Sequence, residues 1–447
     1  MATTTYRLQC LSHVHVGTGT QFTRLDGVYG NGRWHLIDLD KVLAKEVDVG
    51  ALADLMSDRN FTWSQFLRDR RIMPSDVTRY SLPCPQDPQE APVREAIKDA
   101  YTLPYLPGTS VKGAIRTAVL WRLISESPEH QKRAAQYLTL CVRGRDLYHE
   151  FRQRRAFSQP DTQREIIGKL FRIDQREARE YQQTLFKTVK VRDDRLRDRR
   201  ESKNLERRLR DLGDKSKWLA QPVESLVLGA DPNHDLMRAL QVGDSRTVET
   251  EQMNIGLLWT YTLRNNQLVE KREQEGDYKT FAECLTPGAL LQLDVRLDDF
   301  LFSETADRLL RFRGARERAI RRLAETCNQY AKALIATEES FYREHGLNVI
   351  SDFYRDLPSE IQQEEAFLLN IGWGGGWEMK TVGDLMRNAL GNSSFNELRK
   401  RYRLGEDPQT HRVDPSSHFP HTRRVVYEGG AAAWPTGWVK VEPIAET

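Results

Sequence analysis

Tyr6, Leu8 and Cys10 alternate with Arg7 and Gln9 near the start of the chain, a period of two that predicts a strand with one buried face. The strand runs into SHVHVGTGTQ, where Gly17 and Gly19 predict a loop. GRWHLIDLDKVL predicts a second strand passing into a helix, with Asp40 near its cap. From Ala51 to about Pro104 the chain is polar with scattered prolines, which predicts a helix and an irregular loop. In SVKGAIRTAVLWRLI the apolar residues Val111, Ile115, Ala118, Val119 and Leu123 recur with the clearest helical period in the chain.

From about Pro128 to Trp218 the pattern is helical but highly charged, and its apolar residues are too sparse for burial on more than one face. That predicts a helical insertion without a core of its own. Strands and turns resume in the middle of the chain. TPGALLQLDVRL predicts another alternating strand, with Leu291, Leu293, Val295 and Leu297 on one face. A long arginine-rich helix is predicted from about Ser303 to Glu344, then strand, glycine loop and helix in EAFLLNIGWGGGWEMKTVGDLM. HFPHTRRVVYEGGAAAWPTGWVKVEP predicts a terminal hairpin of two strands joined by a Gly/Ala turn. Strands and helices mix without regular βαβ alternation, so the expected fold class is α+β with two similar sheet-and-helix units. The expected divisions are 1–127, a charged helical insertion at 128–220, and 221–447.

Composition changes this picture only locally. The 447 residues carry a net charge of +3, with 29% charged and 39% hydrophobic residues, which suits a globular chain of two or three domains. Charge is unevenly placed: from Lys187 to Lys217 there are 13 Lys/Arg against 7 Asp/Glu, and FRGARERAIRRL (Phe312–Leu323) is arginine-rich. Such segments suit local contact with a polyanion, or equally a solvated helix face laced with ion pairs. No apolar run reaches the roughly 18 residues of a membrane span, and MATTTYRLQC lacks a signal-peptide layout, so no membrane partner and a cytoplasmic location are expected. Five scattered cysteines without a C-x-x-C pair are expected to be buried free thiols.

Two stretches carry candidate chemistry. In YLPGTSVKGAIRT, Pro107 and Gly108 make a turn, and Thr109 or Ser110 can cap the helix that follows. Its first-turn amides are expected to be unsatisfied, with Lys112 and Arg116 four residues apart on one face. A phosphate would accept the amides, the Ser110 hydroxyl and both cations. The lysine precedes the glycine, so this is not a nucleotide-triphosphate loop. The other reading is a capped surface helix whose cations face water. In NIGWGGGWEMKT the glycines allow close backbone approach to a ligand, Trp373 and Trp377 can stack on bases or anchor a core, and Lys380 can meet a phosphate.

Other groups are weaker. His13 and His15 share a strand face and suit a metal pair or an acid/base pair, or plain hydrogen bonding. His411, His418 and His421 match no common zinc spacing. Arg423 and Arg424 are sent to opposite faces by strand alternation, so at most one meets the ligand of the glycine loop. Asp244 is a cap or a loop ligand. No hydrolase, metalloprotease or paired-carboxylate motif is present, and the inventory favours binding over catalysis.

Three of these stretches together resemble the RAMP superfamily of CRISPR proteins: HVGTG (His15–Gly19), YLPGTSVKGAIRTAVL (Tyr105–Leu120) and IGWGGGWEMKT (Ile371–Thr381). LQVGDS (Leu240–Ser245) and HTRRVVY with PTGWVKV further resemble the family of fifth subunits of the type III-A Csm effector complex. The resemblance implies two ferredoxin-like, RRM-related domains. It also implies a non-catalytic subunit that caps the 3′ end of the CRISPR RNA and supports its maturation by recruiting cellular nucleases. Implied partners are the CRISPR RNA, the backbone RAMP subunit, the small subunit and, in the assembled complex, target RNA. Carried over onto this chain, Gly17, Gly19, Ser110, Lys112, Arg116, Gly372, Gly374, Gly375 and Gly376 lie on the RNA path. His15, Trp373, Lys380 and Arg423 complete the set of candidate RNA contacts. No catalytic residue, metal or cofactor is expected. The alternatives are a guide-trimming endoribonuclease using His13 and His15, a structural adaptor, and a related subunit of a Cmr-type complex.

Overall fold

The computed structural model describes residues 3–154, 160–172, 194–272, 274, 278–407 and 410–444. Its strands are β1 (Thr3–Cys10), β2 (Gly17–Phe22), β3 (Gly27–Gly30), β4 (Arg33–Ile37), β5 (Thr78–Pro83), β6 (Val93–Ala96), β7 (Leu240–Val242), β8 (Met253–Arg264), β9 (Gln267–Glu270), β10 (Lys279–Leu285), β11 (Leu290–Leu297), β12 (Phe367–Asn370), β13 (Thr422–Glu428), β14 (Ala431–Trp434) and β15 (Trp438–Pro443). The architecture is α+β, as the mixed periodicities predict. The chain forms two compact units: Met1–Arg122 with Ala239–Thr381 and Ser416–Thr447, and Leu123–Arg238 with Val382–Pro415.

In the first unit a five-stranded sheet runs in the order β12-β15-β1-β11-β7. β1 pairs antiparallel with both β11 and β15, so Leu8 and Cys10, the apolar phase of its alternation, are fully buried. β11 buries Leu291, Leu293 and Val295 in the same way. A larger sheet runs β14-β13-β8-β10-β6-β2, with β9 paired to β8. Glu283 of β10 is wholly buried and carries three partners: the Tyr80 hydroxyl at 2.6 Å, the Ala96 amide at 2.8 Å and the Lys98 ammonium. A carboxylate survives there because the ammonium neutralises it and the hydroxyl and amide hydrogen-bond it.

A small sheet, β3-β4-β5, accompanies helices Leu39–Leu43, Val49–Ser57 and Trp63–Asp69, whose core gathers Val42, Leu52, Trp63 and Phe66. Asp38, two residues earlier than expected, caps the first of these helices by accepting from the amides of Asp40 and Lys41. The stretch read as a helix and an irregular loop thus also holds β5 and β6. β6 has only four residues and does not alternate, while β5 does, with Tyr80 and Leu82 buried.

The arginine-rich stretch is three helices, Glu304–Leu310, Ala315–Arg321 and Leu323–Glu344, rather than one. Arg311 ends the first in the left-handed region at φ 56°, and Gly314 follows at φ 80°. The terminal hairpin is also differently joined. β13 and β14 turn at Gly429 and Gly430, both at positive φ, while β15 leaves for the five-stranded sheet.

The second unit is helical: Pro128–Arg154, Pro160–Phe171, Asp194–Lys215, Gln221–Val227 and Gly383–Tyr402. Sparse as its apolar residues are, they meet in a core of Leu147, Phe151, Ile166, Leu170, Leu205 and Leu209. That corrects the expectation of an insertion without a core: single apolar stripes on several helices face each other. Arg401 pairs with Asp146 at 2.5 Å, and the Tyr402 hydroxyl donates to the Ser216 carbonyl at 2.6 Å, tying the Gly383–Tyr402 helix to the others. Within the basic run from Lys187, residues 187–193 lie outside the described residues. All five cysteines are buried and free, and among the described residues no helix is long and apolar enough to cross a membrane.

Candidate nucleic-acid interface

The Gly108–Ser125 helix begins on the backbone of the segment after β7. Gly108 is there for space: a Cβ would stand 2.3 Å from the Val242 carbonyl oxygen and 2.5 Å from that of Gly243. Its amide donates to the Asp244 carboxylate at 2.7 Å, while Ser245 accepts from the Leu106 amide through its hydroxyl at 2.9 Å. Asp244 is therefore the helix cap, supplied from a distant segment instead of by Thr109 or Ser110. The Gly108 amide, expected to await an anion, is already satisfied.

Three backbone segments from opposite parts of the chain interlock beside this helix. The Trp373 amide donates to the His15 carbonyl at 2.8 Å, Gly437 donates to the His13 carbonyl at 2.8 Å, and Ile371 donates to the Gly437 carbonyl at 2.7 Å. Gly372, at φ 80°, has the His15 carbonyl oxygen only 2.2 Å from where a Cβ would sit. Asn370 braces the loop: its amide nitrogen donates to the Thr436 carbonyl at 2.7 Å, and its backbone and side-chain oxygens both accept from the Lys380 ammonium at 3.0 Å. The glycines thus permit backbone-to-backbone packing, a role that the sequence reading assigned to the approach of a ligand.

Between helix and loop lies a cavity of about 450 Å³, lined by Val16, Gly17, Ser110, Gly113, Ala114, Thr117, Gly372, Trp373, Met379 and Lys380. Five expected contacts meet here: Gly17, Ser110, Gly372, Trp373 and Lys380. Although Lys380 is exposed as a residue, desolvation around its ammonium lowers the pKa to about 8. Lys112 and Arg116 are half-buried and, at about 100° of rotation per residue, sit on a different strip of the helix from Ser110, Gly113, Ala114 and Thr117. Gly19 lies on β2, the exposed edge strand of the larger sheet, at φ 95°. Gly374 and Gly376 adopt positive φ and Gly375 does not.

Two further arginines reach this site. The guanidinium of Arg94 lies over the Trp373 ring at 4.5 Å from its centroid, and that of Arg424 at 4.9 Å. The His15 ring meets the same indole edge-on at 6.0 Å, and Trp373 also packs against the core cluster of Leu258, Ala282, Cys284 and Val426. Trp377 packs edge-on against Phe419 at 5.2 Å. Of the adjacent pair on β13, Arg423 is buried and bound by both nitrogens to Glu338, at 2.8 and 2.9 Å, whereas Arg424 turns to the site. Alternation announced opposite faces, but which face was buried required the sheet. Arg94 lies in a four-residue strand with no motif to mark it.

His13 and His15 are 2% and 4% exposed. His15 Nδ1 bonds the Glu283 carbonyl at 2.7 Å, and burial is the main cause that lowers its pKa, aided by Arg94 and Lys98. Burial also lowers that of His13, against the opposing pull of Glu428. Among the described residues no group of three or more His, Cys, Asp or Glu is placed to hold a metal. His411 contacts Glu406, and His418 stacks on Phe341.

Comparison with known proteins bears on this arrangement. The family model of the RAMP superfamily matches residues 7–378. The CRISPR system protein Csm5 of Methanocaldococcus jannaschii is 21% identical over 454 residues, covering 97% of this chain and 88% of that protein. Csm5 of Streptococcus thermophilus is 30% identical over 130 residues, 25% of this chain and 36% of that one. A chain of a Csm–crRNA–target RNA ternary complex of a type III-A system shares the fold at TM-score 0.63 and 22% identity, covering 98% of this chain and all of that one. The crystal structure of T. onnurineus Csm5 matches at TM-score 0.56 and 19% identity, over 97% and 99% of the two chains. With the family model spanning most of its length, over a glycine-loop and helix site that its own residues build, the chain belongs to the RAMP superfamily.

Proposed function

We propose that this chain is an RNA-holding subunit of a type III-A Csm effector complex, which caps the 3′ end of the CRISPR RNA and supports its maturation without cutting it. The observation that carries the reading is the cavity between the helix and the glycine loop, where Ser110, Lys380 and the glycine backbone meet the arginines over Trp373. Hydroxyl, ammonium, guanidinium and backbone groups all suit phosphate, and a grip on phosphates is independent of base sequence. That is what a guide of variable sequence demands. Gly17 lines this cavity and Gly19 carries the path to the β2 edge, while Lys112 and Arg116 would meet RNA on another strip of the same helix. Likeness to Csm5 relatives and to a chain of a crRNA-bearing complex supports the assembly, with the backbone RAMP subunit, the small subunit and target RNA as neighbours. Recruited nucleases would do the trimming. The burial of His15, whose Nδ1 bonds the Glu283 carbonyl, supports the non-catalytic role, because both members of an acid/base pair must reach the substrate.

Co-expression of the tagged chain with its neighbouring genes and a CRISPR array, followed by sequencing of the bound RNA, tests the reading. The expected result is short RNAs sharing a repeat-derived 5′ end, with uneven or over-long 3′ ends when the chain is omitted. Pure chain with no RNA and no co-eluting subunits would overturn it.

A further inference from the structure

On the larger sheet, pairing of β8 with β13 runs from Thr262↔Thr422 to Leu258↔Val426 and then stops, at the point where the pairing of β13 with β14 shifts register between Val426 and Tyr427. β8 continues to Met253, still paired with β10 on its other side. The two strands thus part and leave a cleft of about 290 Å³ with Asn254–Leu257 as one wall and Val426–Gly429 as the other. Pro83, Cys84 and Pro85 close it with apolar surface, and His13 lines it. The volume falls at the small end of the roughly 300–1,000 Å³ usual for ligand sites. Its polar groups are incompletely used: neither His13 Nδ1 nor Asn254 Oδ1 has a hydrogen-bond partner. A buried polar atom left in that state is costly, by roughly 1–3 kcal/mol, and a bound group would relieve it. Glu428 stands in the same lining, 46% exposed, with one oxygen accepting from the Trp434 indole at 3.0 Å and the other 3.4 Å from His13 Nε2. A carboxylate has about four acceptor positions, so capacity remains.

A lining of Pro83, Cys84, Pro85, Ile255, Leu257 and Val426 together with the Glu428 carboxylate and the Asn254 amide matches a planar base that offers neighbouring donors. Among the RNA bases guanine alone presents N1–H beside an amino group. We propose that this cleft takes one guanine base, with Glu428 accepting N1–H and one amino hydrogen and Asn254 Oδ1 accepting the other. The base comes from a single strand or from a free nucleotide, and the cleft is separate from the phosphate-holding cavity at Lys380. The inference draws on the RNA reading only for the source of the base.

Titration calorimetry of the full chain with GMP, AMP, CMP and UMP, and with short oligomers with and without guanine, tests it. Expected is a guanine preference that falls about tenfold or more in Glu428→Gln, with an unchanged melting curve as the folding control; Asn254→Ala should weaken the same preference. Binding of GMP itself marks a free-nucleotide site, and a preference seen only in oligomers marks a strand site. Equal affinity for all four bases, no binding of any, or full guanine preference in both variants overturns the proposal. Base-independent oligomer binding that persists while the preference is absent would sink this inference and leave the proposed function standing. GMP binding without oligomer binding would do the reverse.

Discussion

The carboxylate of Asp244 holds the backbone amide of Gly108 at 2.7 Å, across 136 residues of sequence. This one bond starts the helix that forms a wall of the cavity at Lys380. Asp244→Ala is expected to cost about 0.5–2 kcal/mol of stability, the usual range for a lost cap. Asn at the position, which keeps an acceptor oxygen, should cost less. Chemical denaturation of the three proteins checks the order, and equal midpoints for all would refute the capping role.

Arg423 and Arg424 are neighbours with opposite expected phenotypes. Arg423→Ala strands the buried Glu338 carboxylate, a loss of about 3–5 kcal/mol in such pairs. Arg424→Ala, and Arg94→Ala with it, should leave the fold standing and lower the salt dependence of RNA affinity by about one phosphate contact each. Melting curves and affinities at several salt concentrations separate the two effects. Lys112→Ala with Arg116→Ala should change the slope less than Lys380→Ala does, since the pair occupies another strip of the helix.

Lys380 titrates near 8, so RNA affinity is expected to fall as pH rises from about 7 to 9 and the ammonium loses its charge. Stability moves the other way. An unfolded lysine keeps its proton to about 10.4, so between about 8 and 10.4 the unfolded chain binds more protons and the folded state gains with rising pH. Lys380→Arg, which stays charged, should flatten the affinity profile. An affinity profile already flat in the unaltered chain would remove Lys380 from the site.

Gly372→Ala should destabilise the loop on two counts, a φ of 80° and a Cβ set 2.2 Å from the His15 carbonyl oxygen. Gly376→Ala, with no atom within 4 Å of its Cβ, meets only the backbone strain of φ 72° and should cost less. Thermal unfolding ranks the pair. Equal losses would mean that the interlock with His15 is not what holds the loop.

Much of the local structure was legible in the chain. Alternation marked β1 and β11, because a strand with one buried face must place Leu8 and Cys10, or Leu291 and Leu293, on the same side. The period of Val111, Ile115 and Val119 marked the helix for the same kind of reason. Residues from three of the motifs, Gly17, Ser110 and Gly372 with Trp373 and Lys380, do line one cavity. What local sequence left open depended on partners far away: which of Arg423 and Arg424 is buried follows from Glu338, 85 residues distant. The cap at Gly108 comes from Asp244, and Gly372 answers to the backbone of His15. Periodicity and motif act over a few residues and are written in order along the chain. Burial, charge pairing and backbone close approach are decided by whatever the fold brings alongside, and there tertiary structure alone chose.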